Sequence, residues 1–134
     1  MSTRQRIVRL LLTLVGLFLC FVGILHDVVN IRLLQRVMAR GEITGRMGPQ
    51  LVANVAFAGA ALTVFGVILL AAAHNLRTRH RASWRISVLI GVFLVATGVA
   101  GYLLQPMMRV LLSSCLGALI CFPLFVWRKY LTKS

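Results

Sequence analysis

Four long apolar runs, separated by short segments rich in arginine, constrain the fold of this 134-residue chain more than any other feature. They lie at about 7–27, 51–74, 86–104 and 108–127. A helix needs about 20 apolar residues to cross the hydrocarbon core of a bilayer, whereas a barrel strand needs only about 10. The sequence therefore predicts an all-α integral membrane protein, in which four transmembrane helices form one antiparallel bundle that takes in the whole chain, 1–134.

The balance of apolar and charged residues agrees with a membrane location. Hydrophobic residues make up 60% of the chain and charged residues 13%, against about 45–50% and about 25% in soluble domains. A soluble globule of this size could not bury so much apolar surface. The composition excludes a soluble enzyme, a disordered tail and a disulfide scaffold.

The charge of the chain is strongly one-sided, with 15 Lys and Arg against two acids, Asp27 and Glu42. Ten basic residues lie in the terminal segments and in the connection between the second and third runs, and five lie in the other two connections. Because positive residues are enriched in cytoplasmic loops, this balance predicts both termini in the cytoplasm of a cell whose plasma membrane holds the chain. The basic residues are scattered among separate segments, so we expect no binding of nucleic acid.

The connection between the second and third runs carries four arginines, Arg77, Arg79, Arg81 and Arg85. Basic residues near a membrane surface attract anionic lipid headgroups by about 1 kcal/mol each. The same arginines would be present if they served only to set the topology, so both interpretations stay open. Trp84 and Trp127 fall at the predicted inner boundary, a depth that amphipathic aromatic side chains favour.

The first span has a basic N-terminal flank, as a signal peptide does, but no small-residue cleavage site follows it, and we expect a retained helix. In the segment that follows this span, Val29 and Leu33 lie on one helical face and polar residues lie on the other. This pattern predicts either a continuation of the first helix or a short amphipathic helix at the outer interface. Gly41 is expected to end that helix, and Gly45, Gly48 and Pro49 predict a loop before the second span.

Two stripes of small residues mark faces where helices could pack closely in lipid. The stripe on the first span consists of Gly16, Cys20, Gly23 and Asp27, and the stripe on the fourth consists of Arg109, Ser113, Gly117 and Cys121. One stripe ends in the negative Asp27 and the other begins with the positive Arg109. We therefore expect the two stripes to face each other, with Asp27 paired to Arg109. The alternatives are that Arg109 extends to the interface and that Asp27 meets Arg32 on its own helix.

The polar side chains near the ends of the spans are expected to gather at the outer end as a cluster of His26, Asp27, Asn30, Asn54, Gln105 and Arg109. One interpretation is a site for an ion, a proton or a polar headgroup, with His26 titrating near neutrality and Asp27 as the acid. The other is a salt bridge with hydrogen bonds that closes the outer end of the bundle. Both stay open, since charges at a helix end need less justification than charges at the bilayer centre.

The cysteines, Cys20, Cys115 and Cys121, lie inside apolar runs and form no C-x-x-C pair. Such residues usually act as small hydrophobic side chains. We expect no disulfide, and the sequence signals no metal site, cofactor or catalytic residue.

Two classes of function fit these features. The first is a non-enzymatic accessory or scaffold component that binds other membrane helices or a second copy of itself. The alternative is a small ion or solute transporter or channel that acts as an oligomer and uses the outer polar cluster as its site. An enzyme is a weaker third option, because the apolar middle offers no chemistry.

Overall fold

The computed structural model describes residues 3–43, 45–76, 81–104 and 108–131, with the backbone alone at 108–110 and 129–130. The helices are α1 (Thr3–Ala39), α2 (Met47–Asn75), α3 (Arg81–Leu104), α4 (Met108–Val126) and α5 (Arg128–Leu131). These described ranges contain no strand. The all-α prediction is therefore confirmed for the part of the chain that the structure describes.

Three of the helices are long and apolar enough to cross a membrane. They are α1 with 37 residues, α2 with 29 and α3 with 24. The fourth helix is shorter, with 19 residues in all and an apolar described part at Leu111–Val126. Three of the four predicted spans are thus supported by length and composition, and the fourth span stays a prediction.

Helix α1 continues without a break through the segment for which two alternatives were open. At 1.5 Å per residue its 37 residues extend about 55 Å, well beyond the hydrocarbon core of about 30 Å. The helix ends as expected at Gly41, which adopts a left-handed φ of 73°. The Gly41 amide donates to the Met38 carbonyl at 3.0 Å and the Glu42 amide to the Val37 carbonyl at 3.3 Å, the bonding pattern of a Schellman cap.

The loop predicted before the second span is confirmed at Gly45, which lies in a turn with a left-handed φ of 70°, but it is wrong at Gly48 and Pro49, because both residues lie in the first turn of α2. Pro49 is accommodated there since amides in a first helical turn have no helical carbonyl to bond, so a missing donor costs nothing. Gly48 is buried, and a methyl group at this position would overlap the sulfur of Met38. The connection between α1 and α2 is therefore shorter than the sequence indicated.

The chain divides into two compact units. Unit 1 consists of Met1–Val15 and Ile68–Ser134, and unit 2 of Gly16–Val67. In unit 1 the fully buried apolar side chains come from all four long helices and from α5, so this unit is itself a helical bundle. They include Val8, Leu12, Leu69, Leu94, Ile120, Leu124 and Leu131.

Helices α3 and α4 form an antiparallel pair in unit 1. A methyl group at Gly117 would overlap the Gly91 carbonyl and lie 2.7 Å from the Val95 amide nitrogen. Further along α3, a methyl group at Gly98 would overlap the hydroxyls of Ser113 and Ser114. The two backbones approach this closely because glycine leaves room, which is how helices associate in lipid without a hydrophobic driving force.

Candidate functional site

Three of the predicted cluster residues meet on α1 within unit 2. The Nδ1 atom of His26 lies 3.5 Å from Oδ1 of Asp27, and the side-chain amide of Asn30 donates to the His26 carbonyl at 2.8 Å. The side chains of His26 and Asp27 are 34% and 27% exposed. Both side chains are therefore partly shielded from solvent.

The carboxylate of Asp27 packs against the backbone of α2 at Gly59. A methyl group at Gly59 would overlap the carboxylate, with Oδ2 at only 2.6 Å. One turn further along α2, the hydroxyl of Thr63 donates to the Gly59 carbonyl at 3.0 Å. Asp27 is thus an acidic group held in a contact between two helices rather than a solvated charge at a helix end.

The stripe that contains Asp27 packs on α2 over its whole length in unit 2. A methyl group at Gly23 would overlap the hydroxyl of Thr63, and one at Gly66 would lie 2.5 Å from the sulfur of Cys20. The thiol of Cys20 also donates to the Thr63 carbonyl at 3.5 Å. The expectation that this stripe faces the stripe of the fourth span is wrong, because α2 occupies the position that the prediction gave to α4.

The stripe on the fourth span packs on α3 in the same way. The thiol of Cys121 donates to the Val88 carbonyl at 3.8 Å, and the hydroxyl of Ser114 donates to the Val95 carbonyl at 3.1 Å. Each stripe therefore packs against the helix next to it in the sequence, α1 against α2 and α4 against α3.

The structure gives no contact between this group of three and the other members of the predicted cluster that it describes. Asn54 is exposed on α2. Gln105 lies outside the described residues, and so does the side chain of Arg109. The pairing of Asp27 with Arg109 consequently stays a prediction.

Of the predicted lipid-binding arginines, Arg81 and Arg85 lie exposed at the start of α3. Arg77 and Arg79 lie outside the described residues. Unit 1, in which Arg81 and Arg85 lie, contains neither of the two acids of the sequence, because Asp27 and Glu42 both belong to unit 2.

The sequence analysis missed a polar contact at the end of α4, which involves Trp84. The indole of Trp84 is buried and donates to the Leu124 carbonyl at 2.8 Å. Its ring meets Phe125 edge-on at 6.1 Å between centroids, and the guanidinium carbon of Arg128 lies 5.0 Å from the ring centroid. The Leu124 carbonyl lies in the last turn of α4, which ends at Val126, and carbonyls of a last helical turn have no helical partner; nothing in the sequence identified Trp84 as its donor.

Metal chemistry finds no support in the described residues, since no group of three His, Cys, Asp or Glu side chains gathers among them. The three cysteines are free thiols, half-buried at Cys20 and Cys121 and exposed at Cys115. The two half-buried thiols each donate to a carbonyl on a neighbouring helix, so their chemistry in the fold is that of hydrogen-bond donors.

By helix length and composition, this chain is a multi-pass helical membrane protein. Its apolar helices place it in contact with lipid, and its most ordered polar features are the Asp27 contact and the Trp84 contact. No protein-family model, curated protein or solved structure matches the chain. The function must therefore be argued from these contacts alone.

Proposed function

We propose that the chain is a non-enzymatic accessory or scaffold component that binds other membrane helices through the last third of α1. The observation that carries the proposal is the apolar surface which this segment leaves uncovered. Val29 and Leu33 are 53% and 55% exposed and lie one turn apart on a helix that exceeds the length needed to cross a bilayer. Arg32 and Arg36 on the same segment are also exposed, so the segment is amphipathic.

The glycine faces of the hairpins support the same role. In unit 2 they are filled by the contact of α1 with α2, and in unit 1 by the contact of α3 with α4. The exposed surface left for a partner helix therefore lies outside these glycine faces, on the part of α1 that carries Val29 and Leu33.

A photo-crosslinking amino acid at Leu33 tests the proposal in native membranes. The matched control is the same replacement at Leu14, which is 58% exposed within the apolar part of α1. We expect one discrete protein adduct from position 33, of twice the chain mass if the partner is a second copy, and lipid adducts alone from position 14. Lipid adducts alone from both positions would contradict the accessory role.

The proposed topology has four spans across a plasma membrane, with both termini on its cytoplasmic side. The 19 residues of α4 extend about 28 Å, within the range that spans a bilayer, and the charge balance supports the orientation. A reporter that is active only in the cytoplasm should work after Ser134 and stay silent after Gly45. The reverse result would invert the topology, and activity at both positions would remove one span.

The second candidate function is a small ion or proton transporter that acts as an oligomer, and Asp27 favours it. An acidic side chain packed between two membrane-spanning helices is a functional-site hypothesis in itself. Asp27→Asn keeps the shape of the side chain and removes its charge, and Glu42→Gln at the exposed other acid is the matched control. If the chain transports protons, the first variant should abolish dye-reported proton flux in liposomes and the second should not. Equal flux in empty and protein-containing liposomes would eliminate this candidate.

A further inference from the structure

An apolar groove runs along the surface of unit 1 between α3 and α4. Its volume is about 510 Å³, within the range of about 300–1,000 Å³ that small-molecule sites occupy. Both helices line it, with side chains that include Val92, Val95, Ala96, Ala118, Phe122 and Phe125. The lining carries almost no polar surface, so the groove suits a hydrocarbon occupant.

One end of the groove meets the arginines of unit 1. Phe125 lines the groove and meets Trp84 edge-on, and the guanidinium carbon of Arg128 lies 5.0 Å from the centroid of the Trp84 ring. On α3, Arg85 precedes Val92 by two helical turns, or about 10 Å along the axis, and therefore lies on the same helical face. Two cationic side chains thus flank the end of an apolar groove.

The charge of this region favours an anionic occupant. The sequence of unit 1 contains no acidic side chain, whereas it contains both Arg85 and Arg128. Arginine binds phosphate oxygens in a bidentate geometry, and the Trp84 ring restricts the guanidinium of Arg128 by a cation–π contact.

The shape of the groove favours a lipid chain over a helix. Helices associate in lipid through small residues, and the glycines of α3 and α4 are already used against each other at Gly91, Gly98 and Gly117. The groove instead offers aromatic and branched side chains such as Phe122 and Val92, against which a flexible acyl chain can pack.

We propose that the α3–α4 groove binds one anionic phospholipid, with an acyl chain along the groove and the phosphate at Arg128 and Arg85. This site requires only that unit 1 is embedded in a bilayer. It does not depend on the accessory role proposed for α1, and the two can fail separately.

Quenching of Trp84 fluorescence by lipids with brominated acyl chains tests the site. A Trp127→Phe background leaves Trp84 as the single tryptophan, and the full chain is reconstituted with brominated phosphatidylglycerol or brominated phosphatidylcholine. We expect the anionic lipid to quench at lower mole fraction than the zwitterionic one. Arg128→Gln and Arg85→Gln should each weaken this preference about five-fold, the ratio that corresponds to the contribution of one basic residue.

Two control variants separate the site from general effects. Arg6→Gln removes one positive charge from an exposed position on α1 and should leave the preference unchanged. Ala118→Phe fills the groove and should reduce quenching by both lipids, whereas the same change at the exposed Ala61 in unit 2 should not. A circular dichroism spectrum of each variant reports whether the helices are retained.

Three results would overturn the proposal. Equal quenching by the two lipids would show that the groove has no anionic preference. A preference that survives both arginine substitutions would place the headgroup elsewhere. A lack of quenching by either lipid, with Trp84 in its buried position, would mean that a protein segment occupies the groove.

Discussion

Replacement of Gly117 by alanine should force α3 and α4 apart. The added methyl carbon would overlap the Gly91 carbonyl and lie 2.7 Å from the Val95 amide nitrogen and 2.8 Å from a methyl of the same residue. Two of these three neighbours are backbone atoms, which cannot rotate away as a side chain can. Relief therefore requires a movement of one helix relative to the other.

The size of that movement sets the expected loss of stability. Ordinary contact begins near 3.4 Å, so the helices must separate by at least about 0.7 Å, enough to forfeit a quarter to a half of each local dispersion contact. The Ser114 bond to the Val95 carbonyl, now 3.1 Å, would lengthen beyond bonding distance. Overpacking of about 1–3 kcal/mol and the lost bond of about 1 kcal/mol are offset by about 1 kcal/mol of helix preference for alanine. We expect a net loss of about 1–3 kcal/mol in the free energy of unfolding.

The comparison variant is Gly91→Ala on the opposite helix. Its methyl group would lie 2.6 Å from the Cys121 sulfur, a side-chain atom that can rotate, and 3.1 Å from the Gly117 carbonyl. We expect a loss below about 1 kcal/mol, since a flexible neighbour can yield. Equilibrium unfolding in mixed micelles, followed by Trp84 fluorescence in the Trp127→Phe background, measures both. A Gly117→Ala protein as stable as its parent, or a larger loss for Gly91→Ala, would refute the reasoning.

Three further predictions concern unit 2 and the cysteines. Gly59→Ala should destabilise the chain by displacing the Asp27 carboxylate. Adding Asp27→Ala should restore part of the stability, so that the two losses in the free energy of unfolding are not additive. Additive losses would mean that the groups do not touch. Gly41→Ala has open space around it but a positive φ, so we expect a loss of about 1 kcal/mol and faster amide exchange at the end of α1, and unchanged exchange would contradict the cap. A membrane-impermeant maleimide should leave Cys115 unmodified in intact membranes although its side chain is exposed, because the surrounding surface faces lipid, and rapid labelling would show that it faces water.

Several parts of the fold could be predicted from local signals in the sequence. The apolar runs gave the helices because their length alone separates helix from strand. Gly41 gave the end of α1 because few other residues adopt a left-handed φ without strain. The small residues around Gly23 and Gly117 correctly marked the faces that pack, since glycine allows two backbones to approach in lipid.

The partners of those faces could not be read from the same pattern. A small-residue stripe specifies that a helix packs closely but not which helix it meets, and opposite charges at Asp27 and Arg109 made a distant pairing attractive. Sequence neighbours joined by short connections usually pack together, and this rule describes both hairpins better. The glycine at position 59 gives the Asp27 carboxylate its room on α2.

Trp84 lies where tryptophan is common, at a membrane boundary, and it also makes a buried hydrogen bond within the fold. Helix α4 ends at Val126, so the Leu124 carbonyl belongs to the last turn, where carbonyls have no helical partner. In lipid an unsatisfied carbonyl costs several kcal/mol, and the indole of Trp84 supplies its hydrogen bond from α3. The same ring carries the guanidinium of Arg128. One tryptophan thus fixes the end of α4 and positions a charge beside the groove. The sequence indicated only that Trp84 lies at a membrane boundary, where tryptophan is common.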